Sequence, residues 1–168
     1  MGQENGGPVV EIRRLQGQAE ADKWARFMAE SEPWKTLRRS YEEGLAMFDD
    51  PARETYLALV KGQSVGLIIL RLDGAFRGYI QTVGVLPDWR GRGVGVRLIE
   101  FAEERIFAES PNAFVCVSSF NPRARQLYER LGFEVVGDLK DYIIPGHAEV
   151  LLRKTIAPLT EFRPPAKG

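Results

Sequence analysis

Between Tyr79 and Ile106 the chain changes from a strand pattern to a helical one, and the change is made by Arg90-Gly91-Arg92-Gly93-Val94-Gly95. Tyr79 to Leu86 is rich in Tyr, Ile, Val and Thr, which suits a pleated strand. From Val94 the apolar residues Val94, Leu98, Ile99, Ala102 and Ile106 recur at spacings of three and four, which predicts an amphipathic helix. A strand, a glycine-rich turn and a helix N-terminus together can form a cradle for an anion. Small residues let the backbone approach closely, unpaired N–H groups point outward, and the helix dipole favours negative charge. A tight turn with solvated arginines would use the same residues. The loop lacks the Gly-Lys-Ser/Thr ending of a Walker loop. Its glycines do not follow G-x-G-x-x-G, and no βαβ unit opens the chain, which weighs against a dinucleotide fold.

The rest of the chain alternates in the same way. Strands are expected at Val9–Leu15, Thr55–Val60, Val65–Leu72, Phe114–Val117, Glu134–Ile143 and Ala148–Thr155. Helices are expected at Gln18–Glu30, at Trp34–Met47, and from Pro122 until Gly132 ends the last one. Ser31-Glu32-Pro33 separates the first two helices, because Pro33 disfavours helix in the residue before it. No repeat or linker divides the chain, so one domain over residues 8–155 is expected, with flexible termini at 1–7 and 157–168.

Composition narrows the function. Lys plus Arg and Asp plus Glu each number 23, so nothing global favours nucleic acid or an anionic membrane. The single cysteine, Cys116, cannot form an internal disulfide, and with the single histidine, His147, it excludes the common zinc motifs. No metal is expected. The run Val65–Leu70 is far shorter than the ~20 residues of a membrane span. With no apolar leader at the N-terminus, the expectation is a cytoplasmic protein.

Two segments resemble a known family. Arg90-x-x-Gly93-x-Gly95 is similar to the Q/R-x-x-G-x-G/A signature with which GNAT acetyltransferases hold the pyrophosphate of coenzyme A. Val83-Gly84-Val85-Leu86-Pro87 resembles the strand that precedes it. Asn121-Pro122-Arg123-Ala124-Arg125-Gln126-Leu127-Tyr128, continuing to Gly132-Phe133, resembles the family's second motif, N-x-x-A-x-x-L-Y-x-x-x-G-F. The pattern is nearest to N-terminal and ribosomal-protein alanine acetyltransferases. The resemblance implies an α/β (α+β) GNAT domain with a mixed, mostly antiparallel central sheet and about four flanking helices. It also implies acetyl-CoA as co-substrate and an amine as acceptor.

The resemblance distributes the roles. Arg90, Gly91, Arg92, Gly93, Val94, Gly95 and Val96 would hold the pyrophosphate. Backbone N–H groups of Val83 and Val85, around Gly84, would face the thioester. Asn121 would contact the pantetheine arm, although an Asn before Pro122 also suits a helix N-cap. Tyr128 would be the general acid toward the leaving thiolate; a tyrosine packing at the core edge is the alternative. The position where ribosomal-protein alanine acetyltransferases carry a glutamate is Cys116 here. Cys116 reads as a small buried hydrophobe rather than a nucleophile. Tyr79 is the candidate base, against packing as a strand tyrosine. Pro33-Trp34 and Tyr142 resemble the lip and final hairpin around a peptide N-terminus, against simple core and cross-strand packing.

The expected activity is therefore acetyl transfer to a primary amine by direct attack in a ternary complex, with a peptide N-terminus as the leading acceptor. A polyamine or antibiotic acetyltransferase, and a non-catalytic acyl-CoA-binding regulatory module, stand as alternatives. Homodimerisation is left open.

Overall fold

The computed structural model describes residues 6–166. Seven strands form one sheet in the order β1-β2-β3-β4-β5-β7-β6. They are β1 Glu11–Arg14, β2 Arg53–Val60, β3 Gln63–Arg71, β4 Tyr79–Val85, β5 Asn112–Ser118, β6 Glu134–Lys140 and β7 Ala148–Thr155. Every neighbouring pair is antiparallel except β4 and β5. Four α-helices flank the sheet: α1 Gly17–Glu30, α2 Tyr41–Asp49, α3 Val94–Phe107 and α4 Pro122–Arg130. The mixed, mostly antiparallel sheet and its helices are those the sequence leads one to expect. The expectation of flexible ends falls partly on residues 1–5 and 167–168, which lie outside the described residues.

Alternation along the strands divides the core in two. One face carries Tyr56, Ile68, Leu70, Ile80, Val115, Val117, Val150 and Leu152 against α3, with Tyr128 of α4 in the same cluster. The other carries Leu57, Leu59, Leu67 and Ile69 against Trp24, Met28, Trp34 and Met47 from α1, α2 and the turn between them. Leu57, Leu67, Ile68 and Ile69 are fully buried, as period-two strands covered on both faces should be. Lys61 and Gly62 both have positive φ, 50° and 79°, which suits the tight β2–β3 hairpin. Across the sheet, Arg105 of α3 forks onto Glu54 of β2 with two contacts of 2.9 Å, which fixes the axis of α3 and hence where its N-terminus points.

One helix differs from expectation. Residues 34–38 form hydrogen-bonded turns, and α2 begins only at Tyr41. The cause is local. Arg38 takes a left-handed φ of 58°, and Ser40 and Glu43 then form a reciprocal capping box that starts a new helix.

Gly78 sets the start of β4. Its φ is +89°, and a Cβ there would lie 2.2 Å from the Asn112 carbonyl oxygen and 2.5 Å from Ile106 Cγ2. Its own carbonyl accepts from the Phe114 N–H at 2.9 Å, so it holds β5 alongside β4. Gly78→Ala should cost about 2–4 kcal/mol from backbone overlap and a disfavoured φ. A thermal melt should show a fall of about 5–15 °C; an unchanged melt would mean that the β4–β5 junction has room that the geometry denies.

Candidate active site

Strands β4 and β5 pair only at Tyr79–Phe114 and Ile80–Val115. Beyond that, β4 stays on β3 as far as Val85 and β5 stays on β7 as far as Ser118, so the sheet opens between them. An extra residue on β4, Gln81, sits between the pairs Leu70–Ile80 and Ile69–Thr82 and marks where the strand turns away. Leu86 donates its N–H to the Val65 carbonyl at 2.9 Å. Because N–H direction alternates along a strand, the N–H groups of Val83 and Val85 face the opening. The Val85 carbonyl accepts from Arg90 Nε at 3.2 Å, on the side of the glycine loop. Gly84 faces the other way: a Cβ there would come within 2.9 Å of Phe27 Cε1 and 3.0 Å of Trp34 Cη2.

The loop before α3 has the form of an anion cradle. Gly91 and Gly93 have φ of 71° and 83°, and a Cβ at either would meet nothing within 4 Å, so the side of the loop is open. At Gly95 a Cβ would touch only Val85 Cγ2, at 3.8 Å. Gly93 is the N-cap of α3 and offers no side chain, so the N–H groups of Val94, Gly95 and Val96 are left for an outside acceptor. No acidic residue stands in the first turn of α3. The Arg92 guanidinium lies 5.1 Å over the Trp89 ring. Among the described residues, neither Arg90 nor Arg92 pairs with a carboxylate. Free N–H groups, a positive helix end and unpaired arginines fit a pyrophosphate.

On α4, Asn121 Oδ1 accepts from the Ala124 N–H at 3.3 Å, so Asn121 is the N-cap. Beside it is a cavity of about 170 Å³ whose lining includes Ser118, Asn121, Arg125 and Asp138. Tyr128 lies further along α4. Its ring is buried and meets Phe133 edge-on at 5.2 Å. Burial alone pushes the phenol well above its ordinary value, so it holds its proton.

The opposite face of the opening collects a second set. Tyr79 contacts the Cys116 thiol, with Tyr142 and Glu149 nearby. Burial first, then these neighbours, push the Tyr79 phenol far above its ordinary value. Trp34 is 9% exposed and packs edge-on against Phe27 at 5.7 Å, so it is interior rather than an open lip. Pro33, at the start of the same turn, is half-buried, whereas Tyr142 is 62% exposed in the turn after β6. His147 stacks edge-on against Phe120 at 5.1 Å. Among the described residues, no group of His, Cys, Asp and Glu could hold a metal ion, and no helix is long and apolar enough to cross a membrane.

Sequence reasoning missed Glu149. It is only 4% exposed, and Ser118 Oγ donates to its Oε1 at 2.7 Å. A carboxylate at a buried position of a predicted strand was the available signal, since such groups are rarely buried without a partner.

The family model described as the acetyltransferase (GNAT) family matches residues 19–133. An L-methionine sulfoximine/L-methionine sulfone acetyltransferase of Pseudomonas aeruginosa is 34% identical over 103 residues, covering 56% of this chain and 60% of that protein. The match therefore spans less than two thirds of this relative's length. An aminoglycoside 6'-N-acetyltransferase complexed with coenzyme A aligns with TM-score 0.70 at 18% identity, covering 88% of this chain and 98% of that one. Arabidopsis thaliana NAA60, in complex with a bisubstrate analogue, aligns with TM-score 0.73 at 17% identity, covering 89% of this chain and 100% of that one. At such identities the two structures establish a shared fold.

Gly84→Ala tests the packing behind the opening. Both aromatic rings would have to shift, at a cost of about 1–3 kcal/mol. Urea denaturation should show that loss; unchanged stability would mean that Phe27 and Trp34 do not pack on the strand.

Proposed function

The chain belongs to the acetyltransferase (GNAT) family, and we propose that it transfers the acetyl group of acetyl-CoA to the primary amine of a small acceptor, an α-amino acid being the first class to test. The observation that carries this reading is the opening between β4 and β5, with the uncapped N-terminus of α3 at its rim. The N–H groups of Val94, Gly95 and Val96, with Arg90 and Arg92, would hold the pyrophosphate. Asn121 would meet the pantetheine arm. Bound there, acetyl-CoA supplies an activated acetyl thioester.

The chain's own groups then divide the work. The N–H groups of Val83 and Val85 donate to the carbonyl oxygen as negative charge develops on it, a contribution of about 3 kcal/mol for one well-placed donor. Tyr128 keeps its proton near neutral pH and donates to the departing sulfur. Tyr79 also keeps its proton, so it serves the acceptor side as a hydrogen-bond donor rather than a base.

The acceptor assignment rests on the 34% identical relative, whose named substrates are modified amino acids, and on the burial of Trp34, which leaves no exposed aromatic lip there. These favour a small acceptor over the peptide N-terminus suggested by Pro33, Trp34 and Tyr142. The test is a panel at equal concentration: methionine sulfone, a polyamine, an aminoglycoside, a free-N-terminus peptide and a blocked lysine peptide. The amino acid should give a kcat/KM at least about tenfold above either peptide. A peptide that wins would restore the chain-end reading.

Two variants test the machinery. Gly93→Asp puts a like charge in the cradle, and calorimetry should show acetyl-CoA affinity falling by about 100-fold or more. Tyr128→Phe should lower kcat by about 100- to 10,000-fold with acetyl-CoA affinity nearly kept. A rate within twofold of wild type would remove Tyr128 from the chemistry.

A further inference from the structure

Glu149 stands outside everything assigned so far. It lies on β7, beyond residue 133, where the match to the family model ends. Its side chain shares a face with Ser118, its direct partner across β5–β7, and with Cys116 one step along. Carried on from Ile80–Val115, and allowing for the extra residue Gln81, the register of β4 and β5 sets Val83 and Gly84 level with Ser118. The row Ser118–Glu149 therefore borders the opening opposite the N–H groups that face it. Tyr128 belongs to the other face of the sheet, among Val117 and Val150. The opening thus has a phenol on one side and a carboxylate on the other.

The carboxylate is only half used. Ser118 satisfies Oε1, while Oε2 has no side-chain donor and no salt bridge among the described residues. Oε2 is not among the sealed, unpartnered side-chain atoms of the described residues, so it keeps a small accessible surface. A buried carboxylate without an ion-pair partner is costly, and an incoming ammonium group would supply that partner.

We propose that Glu149 is the group that receives the acceptor's proton. This rests on the amine-transferase reading above. The acceptor arrives as an ammonium ion, and one proton passes to Glu149 Oε2, freeing the nitrogen lone pair. That pair forms the new bond to the acetyl carbon as the carbon–sulfur bond breaks and its electrons leave on sulfur. Tyr128 gives that sulfur a proton and is reprotonated from solvent, while the second nitrogen proton and the one held by Glu149 pass to solvent, so an ammonium ion and a thioester become an amide, a thiol and one released proton.

The surroundings suit the role. Burial raises the Glu149 carboxyl above its usual value, while Ser118 and the field of Arg39 oppose the rise. The other groups that face it are Cys116 of β5 and Tyr79 of β4, with apolar Leu139 as its partner on β6, while Tyr142 beyond β6 lies near Tyr79. Tyr79 and Cys116 are themselves pushed upward, so they stay neutral and leave Glu149 as the group that exchanges a proton. A raised carboxyl is a stronger base and must be ionised to act. Activity should therefore rise with pH through its pKa.

The test compares Glu149→Gln and Glu149→Asp with wild type, using the best amine of the panel. Glu149→Gln keeps the acceptor for Ser118 and should fold with an unchanged or higher melting temperature. Its acetyl-CoA affinity should be unchanged and its kcat/KM lower by about 100- to 10,000-fold. Its acid limb should move up to the pKa of the acceptor amine. Glu149→Asp should keep the wild-type limb at a reduced rate. Carboxyl NMR of the free protein should show one glutamate, absent in Glu149→Gln, titrating above the ordinary range at the pH of the wild-type limb. The proposal is overturned if Glu149→Gln retains the wild-type limb and a rate within twofold, or if Glu149 titrates as an ordinary surface carboxylate. If wild type binds acetyl-CoA but acetylates no amine, the transferase reading itself fails, and this inference fails with it.

Discussion

Two neighbouring parallel strands that stop pairing create the constraint on which this molecule turns. Once β4 leaves β5 after Ile80, the backbone groups of Val83 and Val85 that face β5 have no strand partner. Unpaired backbone groups are costly when dry, so this opening favours occupation by something with acceptors of its own. The fold braces the opening at its closed end and along its back. Gly78 brings β4 and β5 together, and Gly84 lets Phe27 and Trp34 close against the strand. Arg105 and Glu54 lock α3 across β2, so that the Gly93 end of that helix stays at the mouth.

The electrostatics of the opening follow from burial. Tyr128 on one face and Tyr79 on the other are both held neutral by desolvation. Glu149, desolvated but hydrogen-bonded by Ser118, is shifted in the direction that strengthens a base. Titratable groups whose surroundings push them apart in this way are how one site runs acid and base chemistry together. The cradle has the opposite character. It is built from backbone N–H groups and from arginines without carboxylate partners, which suits a permanently charged group that is held and not transformed.

Much of this was legible in the residues, and the exceptions are physical. The strand–loop–helix junction at Arg90–Gly95 is local, and its chemistry is written in glycines that need left-handed φ. Asn121 and Tyr128 are placed by one helix, so their spacing carried their placement too. The break at Ser40 was missed because apolar periodicity runs from Trp34 to Met47 through the interruption, although the Ser40–Glu43 capping box was present in the sequence. Glu149 was missed for a different reason. Its position depends on β7 lying between β5 and β6, a non-local pairing that no window of sequence reports. Tyr79 could be named from its strand, but its protonation depends first on burial and then on Cys116, Tyr142 and Glu149, which come from three other parts of the chain.

The central claim is that the β4–β5 opening and the α3 N-terminus form one acetyl-CoA site, and backbone amide NMR tests it most directly. Titration of the 15N-labelled protein with acetyl-CoA should shift and protect the amides of Val83, Val85, Gly93, Val94, Gly95 and Val96 together, at one common dissociation constant. Shifts confined to other surfaces, or a response of the cradle without Val83 and Val85, would contradict it.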